Sequence, residues 1–316
     1  MLNGESMTEF SFIEYLKKRI SRRGRVCVGI GDDAAVLDVA ADKQLVVSTD
    51  VIVENVDFEI RGLSPEKIGR KALAVNLSDM AAMGATPTAF VISVGKPASI
   101  NSAWLKRFYD GLLKLARQYD VACVGGDFSR SKEFFASVTI FGEVFPFQLT
   151  QRSGAKAGDW IAVTGALGGG LRRHHYDFTP RIRESLFLVE HFTPTAMIDV
   201  SDGLAQDLAH ILKASKVGAV LDLDKIPVSP DAVKLCSGVN AEALRRALSD
   251  GEDFELLFTV ASWRRGMLET AWRKKFPKVS LSWIGKVEGA VPKIQWHRNG
   301  KSVSAPPLAH QGFSHF

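Results

Sequence analysis

Acidic residues set beside glycine or small hydroxyl residues recur in six short clusters of this chain. They read Gly31-Asp32-Asp33, Ser48-Thr49-Asp50, Leu77-Ser78-Asp79, Gly125-Gly126-Asp127, Asp199-Val200-Ser201-Asp202-Gly203 and Gly251-Glu252-Asp253. Nearly all adjoin an apolar run, and a carboxylate at the end of a buried strand is costly unless a cation meets it. Several converging without cations would repel one another, raise their pKa values and force some to protonate. A bound divalent metal resolves the conflict, and all-oxygen ligands favour magnesium, manganese or calcium over zinc. Magnesium held by few carboxylates usually shares its shell with substrate phosphates. The chemistry expected is phosphoryl transfer.

Other chemistries lack their residues. None of the seven histidines lies in a G-x-S-x-G or H-E-x-x-H motif. An enzyme without an evident general base suits an acceptor that is already anionic, such as a phosphate oxygen, with metal ions offsetting the repulsion. Gly29-x-Gly31-x-x-Ala34 mimics a dinucleotide fingerprint, but a strand follows where that motif needs a helix. No G-x-x-x-x-G-K-[ST] is present. Gly168-Gly169-Gly170 reads as a phosphate cradle of backbone N–H groups or as a plain flexible loop. The basic stretch from Arg172 and Arg173 through Arg181 and Arg183, with His174 and His175, reads as a solvated surface loop.

These side chains need elements to aim them. Strand-like runs fall at 25–30, 34–39, 44–50, 88–94, 121–125 and 134–144, with helical patterns at 9–20, 65–83 and 101–119. Strand alternation puts Ser48 and Asp50 on one face and Thr49 on the other. Asp199 and Ser201 likewise share a face, Asp202 opens the next helix, and Asp32 and Asp33 diverge so that one reaches a shared metal. Asp79 falls in the last turns of the helix closed by Gly84, where the dipole disfavours an anion by about 0.3–1 kcal/mol. A cation beside it is expected.

A polar segment from Thr150 to Asp159 breaks the pattern, which places a domain boundary near 146–158 and domains at 1–148 and 149–316. Beyond it come strands at 160–164, 196–200, 218–223, 254–260, 279–287 and 292–297, with helices at 181–191, 202–214, 241–248 and 262–275. Mixed elements in both halves indicate two α+β domains. The chain has 316 residues, 46% hydrophobic and 24% charged, with a net charge of +5 spread along its length. That is an ordinary soluble composition with no basic cluster for nucleic acid. The apolar stretch 72–94 is broken by Asn76, Asp79 and Pro87, so it does not span a membrane. Cys27 and Cys123 read as buried thiols, consistent with a reducing, cytoplasmic setting.

Taken together, the motifs resemble the thiamine-monophosphate kinase family, of the superfamily that includes aminoimidazole ribonucleotide synthetase. The resemblance rests on Gly29–Val36, Ser48–Asp50, the run Lys71–Ala85 with Asn76 and Asp79, and Gly125–Asp127. It continues through Arg152–Asp159, Ile198–Leu204, Gly251–Leu256 and Gly312–Phe316. It implies ATP-dependent phosphorylation of thiamine monophosphate to thiamine diphosphate by direct transfer, the last step in making that cofactor. Asp33, Ser48, Thr49, Asp50, Asp79, Asp127, Asp199 and Asp202 match positions that bind several magnesium ions, with Asp50, Asp79 and Asp127 central to catalysis. Gly126, Asp127, Arg152 and Ser201 match positions on ATP, and Glu252 and Phe313 match positions on the thiamine moiety. Asp57 stands where the family usually carries a substrate-contacting histidine. The implied fold is the two-domain α+β architecture of the superfamily, whose N-terminal sheets pair across a homodimer. The alternatives are a purine-precursor amidine synthetase of the same superfamily and a non-catalytic metal- or nucleotide-binding regulator.

Overall fold

A computed structural model describes residues 9–20, 25–28, 35–170 and 175–306. The chain forms two compact units, one drawn from residues up to Met80 and from Thr86–Pro146, the other from Ala81–Ala85 and the chain after Pro146.

In order, the first unit contains α1 (Glu9–Arg19), β1 (Val26–Val28), β2 (Val36–Leu37), β3 (Gln44–Val53), all but the last two residues of α2 (Pro65–Ala82), β4 (Thr86–Lys96), α3 (Ser102–Gln118), β5 (Ala122–Arg130) and β6 (Phe135–Val144). Its main sheet has the order β3-β6-β4-β5. β6 runs antiparallel to both neighbours, while β4 and β5 are parallel, and α3 supplies the crossover that a parallel pair demands. The start of α2 follows from Ser64 and from Pro65 at the first helical position, where a missing N–H costs nothing. Its end follows from Gly84 at φ +69°. Asn101 caps α3, accepting the Trp104 N–H at 2.9 Å.

Ser48, Asp50 and Ile52 lie on the more buried face of β3, while Leu45, Val47, Thr49 and Val51 face outward. The period of two expected from the sequence therefore holds. A small apolar cluster of Ala89, Ala122 and Val124 is covered by Val26, Ala35 and Leu37 of the β1–β2 hairpin. Cys27 in that hairpin is exposed, not buried as its apolar run suggested. The cause is the strand's position: β1 is three residues long and pairs with β2 alone among the described residues, so one face stays open. Cys123 is buried as expected, and burial pushes its thiol up to about 12.

The second unit contains β7 (Trp160–Thr164), α4 (His175–Asp177), α5 (Ile182–His191), β8 (Ala196–Asp199), α6 (Leu204–Ser215), β9 (Gly218–Asp222), α7 (Pro230–Leu235), α8 (Asn240–Ser249), β10 (Leu256–Val260), α9 (Arg265–Lys275), β11 (Leu281–Glu288), β12 (Ile294–Arg298) and β13 (Lys301–Val303). The seven strands order as β13-β12-β9-β11-β7-β10-β8, antiparallel except where β12 meets β9. Leu204, Leu208, Ile211 and Leu212 of α6 pack with Ile161, Val163, Leu257 and Ile284 of the sheet in one buried core. That packing fixes α6 against β8, an edge strand whose last residue is Asp199.

Candidate active site

In the first unit the Ser48 hydroxyl donates to the Asp79 carboxylate. Strand β3 and the last turns of α2 thus bring together two residues that the sequence places 31 apart. Asp50 lies two residues along the same face. Both carboxylates are half-buried, and α2 around Asp79 is apolar and packed, with Leu73, Leu77 and Met80 wholly buried. Thr49 faces the other way: it donates to the Val138 carbonyl at 3.1 Å and accepts the Thr139 hydroxyl at 3.0 Å.

Asp127 is exposed on β5. Its cross-strand row runs through Ser93 and Ser137 to Val51. Directly opposed residues share a face, so Asp127 lies on the Thr49 face and across the sheet from Asp50. Three inter-strand spacings, roughly 14 Å, separate the two strands. Gly126 is a steric necessity, since a Cβ there would lie 2.1 Å from the Ile92 carbonyl oxygen. The Asp57 carboxylate accepts the Val53 N–H at 2.7 Å and so closes its own turn. Asp33 lies outside the described residues.

In the second unit Asp199 is buried at the end of β8, opposite Leu256 of β10. A turn intervenes before α6, whose N-cap is Gly203 at φ +109°. Asp202 therefore stands ahead of the helix instead of opening it. Its carboxylate accepts Gln206 Nε2 at 3.2 Å, and its backbone N–H donates to Asp207 at 3.1 Å. Asp202, Asp207 and His210 offer ligand atoms that all lie within 4.8 Å of one another. Burial pushes Asp207 up to about 8, with the Asp199 and Asp202 charges adding to the effect. Carboxylates that repel in this way, supplied mainly as oxygen donors, fit a hard divalent cation. Asp207 and His210 were not singled out in the sequence. Their spacing after Asp202, five and eight residues on, was the available signal.

A tight loop faces this turn. Glu252 and Phe254 donate their N–H groups to the Ser201 and Val200 carbonyls, each at 2.8 Å. Both residues adopt positive φ, +53° and +51°, a strained conformation that persists only when neighbours over-determine it. The N–H groups of Gly168, Gly169 and Gly170 converge on the Asp253 carboxylate at 2.8–3.2 Å. The glycine run is thus neither a free loop nor an open phosphate cradle, because the protein's own carboxylate fills it. Two further expectations are corrected here. His175 is buried and meets Glu252 at 2.9 Å. Arg181 is largely buried, binding both Glu255 oxygens at 2.5 and 2.7 Å. A guanidinium and a carboxylate in bidentate register satisfy each other away from water, which the local basic composition could not reveal. Arg152 is exposed, its carbonyl accepting the Ser215 hydroxyl at 3.2 Å. Ser201 is half-buried in the turn. Phe313 lies outside the described residues.

Residues 31–144 match the model of the AIR synthase related protein N-terminal domain. Thiamine-monophosphate kinase of Rhodopirellula baltica is 41% identical over 290 residues, covering 89% of this chain and 90% of the relative. The chain belongs to the thiamine-monophosphate kinase family. A second family member, from Escherichia coli K12, is 38% identical over 98% of each chain. Among solved structures, the family's enzyme from Stenotrophomonas maltophilia K279a superposes with a TM-score of 0.80 at 35% identity, covering 95% of this chain and 99% of that one. AaThiL complexed with AMPPCP and TMP superposes with a TM-score of 0.73 at 28% identity, over 100% and 99% of the two chains. The family's two-domain α+β fold is the fold of this chain.

Proposed function

We propose that this chain is a kinase that transfers the terminal phosphoryl group of ATP to thiamine monophosphate. A phosphate oxygen of the acceptor attacks the γ-phosphorus, the bond to the β–γ bridging oxygen breaks, and ADP and thiamine diphosphate leave. The observation that carries this reading is the 2.8 Å bond from the Glu252 N–H to the Ser201 carbonyl. It ties the backbone of Glu252, the residue assigned to the acceptor's thiamine moiety, to the turn bearing Asp199 and Asp202. The AaThiL complex, with an ATP analogue and TMP on one protein of this family, supports the same pairing of substrates.

In this reading Asp33, Ser48, Asp50, Asp79, Asp199 and Asp202 would hold magnesium, with Thr49 and Asp127 on the opposite sheet face from Asp50 serving a separate ion, and the metal would supply neutralisation of charge on the transferring phosphate. The chain's own residues supply the positioning. Ser48 orients Asp79 through its hydroxyl, and Asp202 is fixed by Gln206 and by the backbone bond to Asp207. Gly126, Arg152 and Ser201 serve ATP, while Glu252, Phe313 and Asp57 serve the acceptor. Residues 1–148 supply most of the metal aspartates and the dimer contact, and residues 149–316 the nucleotide turn and Glu252. The exposed apolar row Leu45, Val47 and Val51 on β3 supports pairing of two copies through that sheet. No helix among the described residues is long and apolar enough to cross a membrane, and a cytoplasmic enzyme is the setting proposed.

A coupled assay of ADP release with thiamine monophosphate tests the reading. Asp50→Asn should stay folded by circular dichroism and lose at least about 100-fold in turnover, the scale expected for removing positioned transition-state charge. ATP binding without ADP release in the unsubstituted protein would instead identify a regulator.

A further inference from the structure

Four consecutive residues, Glu252 to Glu255, are each held by a different group on the segment from Gly168 to Arg181. Asp253 fills the three-glycine nest. The Phe254 ring stacks on Phe178 with centroids 4.3 Å apart and planes 17° off parallel. Glu255 is clamped by Arg181 and accepts the Thr164 hydroxyl at 2.6 Å. Three of these four grips are buried, and they fix the backbone of the loop.

The fourth differs in kind. His175 Nδ1 lies 2.9 Å from the Glu252 carboxylate; the histidine side chain is 7% exposed and the glutamate side chain 21%. One partner is therefore buried and rigid, while the other still reaches water. The imidazole also lies against the Tyr176 ring, with centroids 3.6 Å apart. A free glutamate side chain carries three rotatable bonds, and holding it in one rotamer costs entropy that a fixed donor can offset. Anchoring on a buried ring pre-organises an acid for a ligand.

Resting on the assignment of Glu252 to the acceptor, we infer that His175 is a positioning residue that fixes the Glu252 carboxylate for a cationic or N–H-bearing ring, and so sets affinity for the thiamine moiety. With its proton on Nδ1 the imidazole donates to the Glu252 carboxylate at 2.9 Å. An acidic side chain held in one rotamer suits the thiazolium charge or the aminopyrimidine N–H groups. ATP, which meets other residues, gains nothing from this contact. The effect therefore falls on one substrate only.

Two readouts on the full chain separate this inference from the kinase assignment. ADP release by the unsubstituted protein tests the assignment, and calorimetric titration with thiamine monophosphate tests the inference. His175→Phe keeps a ring of similar size without a donor. It should weaken thiamine monophosphate binding at least about ten-fold, in line with losing a charge-assisted hydrogen bond. The KM for ATP and the turnover at saturating acceptor should stay within about two-fold, a smaller change than one such bond is worth. His175→Asn places an amide near the Nδ1 position and should restore affinity to within about three-fold by returning a donor. If the phenylalanine variant does not fold, His175→Gln, whose amide sits where Nε2 does, should show the same selective loss. Unchanged acceptor affinity in His175→Phe overturns the inference while leaving the kinase assignment intact. So does an equal fall in acceptor affinity, ATP affinity and melting temperature in both variants, since that marks plain core packing. Glu252→Gln should weaken the acceptor too. If it does not, Glu252 is not an acceptor residue and the inference falls with it.

Discussion

Asp253 is held by three backbone N–H groups, each of which favours its charged form, yet its pKa is pushed up to about 8. Burial is the larger influence, because the carboxyl is almost wholly removed from water, and the nearby Glu255 charge adds to it. The folded chain therefore binds this proton more tightly than the unfolded chain, whose aspartate titrates at about 4. Stability from this group is present in full below that value and is lost as pH rises to about 8. The slope is at most about 1.4 kcal/mol per pH unit for one proton. Asp253→Asn keeps an oxygen for the glycine nest and removes the titration. Melting temperatures at pH 5 and pH 8 should thus lie closer together in the variant than in the parent. Parallel pH profiles would show that Asp253 is ionised throughout. This residue also marks a limit of sequence reading. Period-two alternation made the shared face of Ser48 and Asp50 legible, because parity is local. The partner of Gly168 is 85 residues away, and no spacing rule connects an N–H nest to a carboxylate at that distance. Asp207 follows Asp202 by five residues, a separation short enough for a spacing rule to reach.

At the level of elements, α2 and α3 pack so closely that glycine is required on both sides of the crossing. A Cβ on Gly69 would lie 1.9 Å from the Phe108 carbonyl oxygen, and one on Gly111 would lie 1.9 Å from the Glu66 carbonyl oxygen. Those atoms belong to helical backbone and cannot move aside as a side chain could. Gly111→Ala should separate the helices and lower stability by about 1–3 kcal/mol through overpacking, against roughly 1 kcal/mol regained from helix propensity. A denaturant midpoint no lower than the parent's would mean that the helices are not in contact there. Because α2 carries Asp79, magnesium affinity should fall in the same variant. Most elements were legible for plain reasons: α2 and α3 are long, capped and amphipathic or apolar throughout, and β3 and β6, ten residues each, alternate through most of their length. Helix α7 leaves no periodic signal in the sequence despite Ser229 at its N-cap and Pro230 after it, since six residues are too few to register a helical period. Strand β13, three residues long, is too short for the same reason.

For the molecule as a whole, the open question is what covers β3. This strand is ten residues long, lies at the edge of its sheet, and presents Leu45, Val47 and Val51 at 48%, 52% and 52% exposure. Long apolar edge strands are aggregation sites unless something pairs with them or covers them. Other exposed apolar residues, such as Phe147 and Val291, stand apart in sequence and form no such row. The β1–β2 hairpin packs on Ala89, Ala122 and Val124 at the other side of the sheet's outer face, so the β3 row needs a different cover. A second copy of the same sheet would supply one by symmetry, since a self-complementary patch is what a two-fold interface uses. Val47→Glu places a charge at the centre of the row without touching the face that carries Ser48 and Asp50. Sedimentation equilibrium should then give a dimer for the parent and a monomer for the variant, with secondary structure unchanged by circular dichroism. A parent that is monomeric at micromolar concentration, or a variant that still dimerises, would rule out this sheet as the contact. If turnover per chain also falls in the monomeric variant and recovers at high protein concentration, pairing of the sheets contributes to the active site.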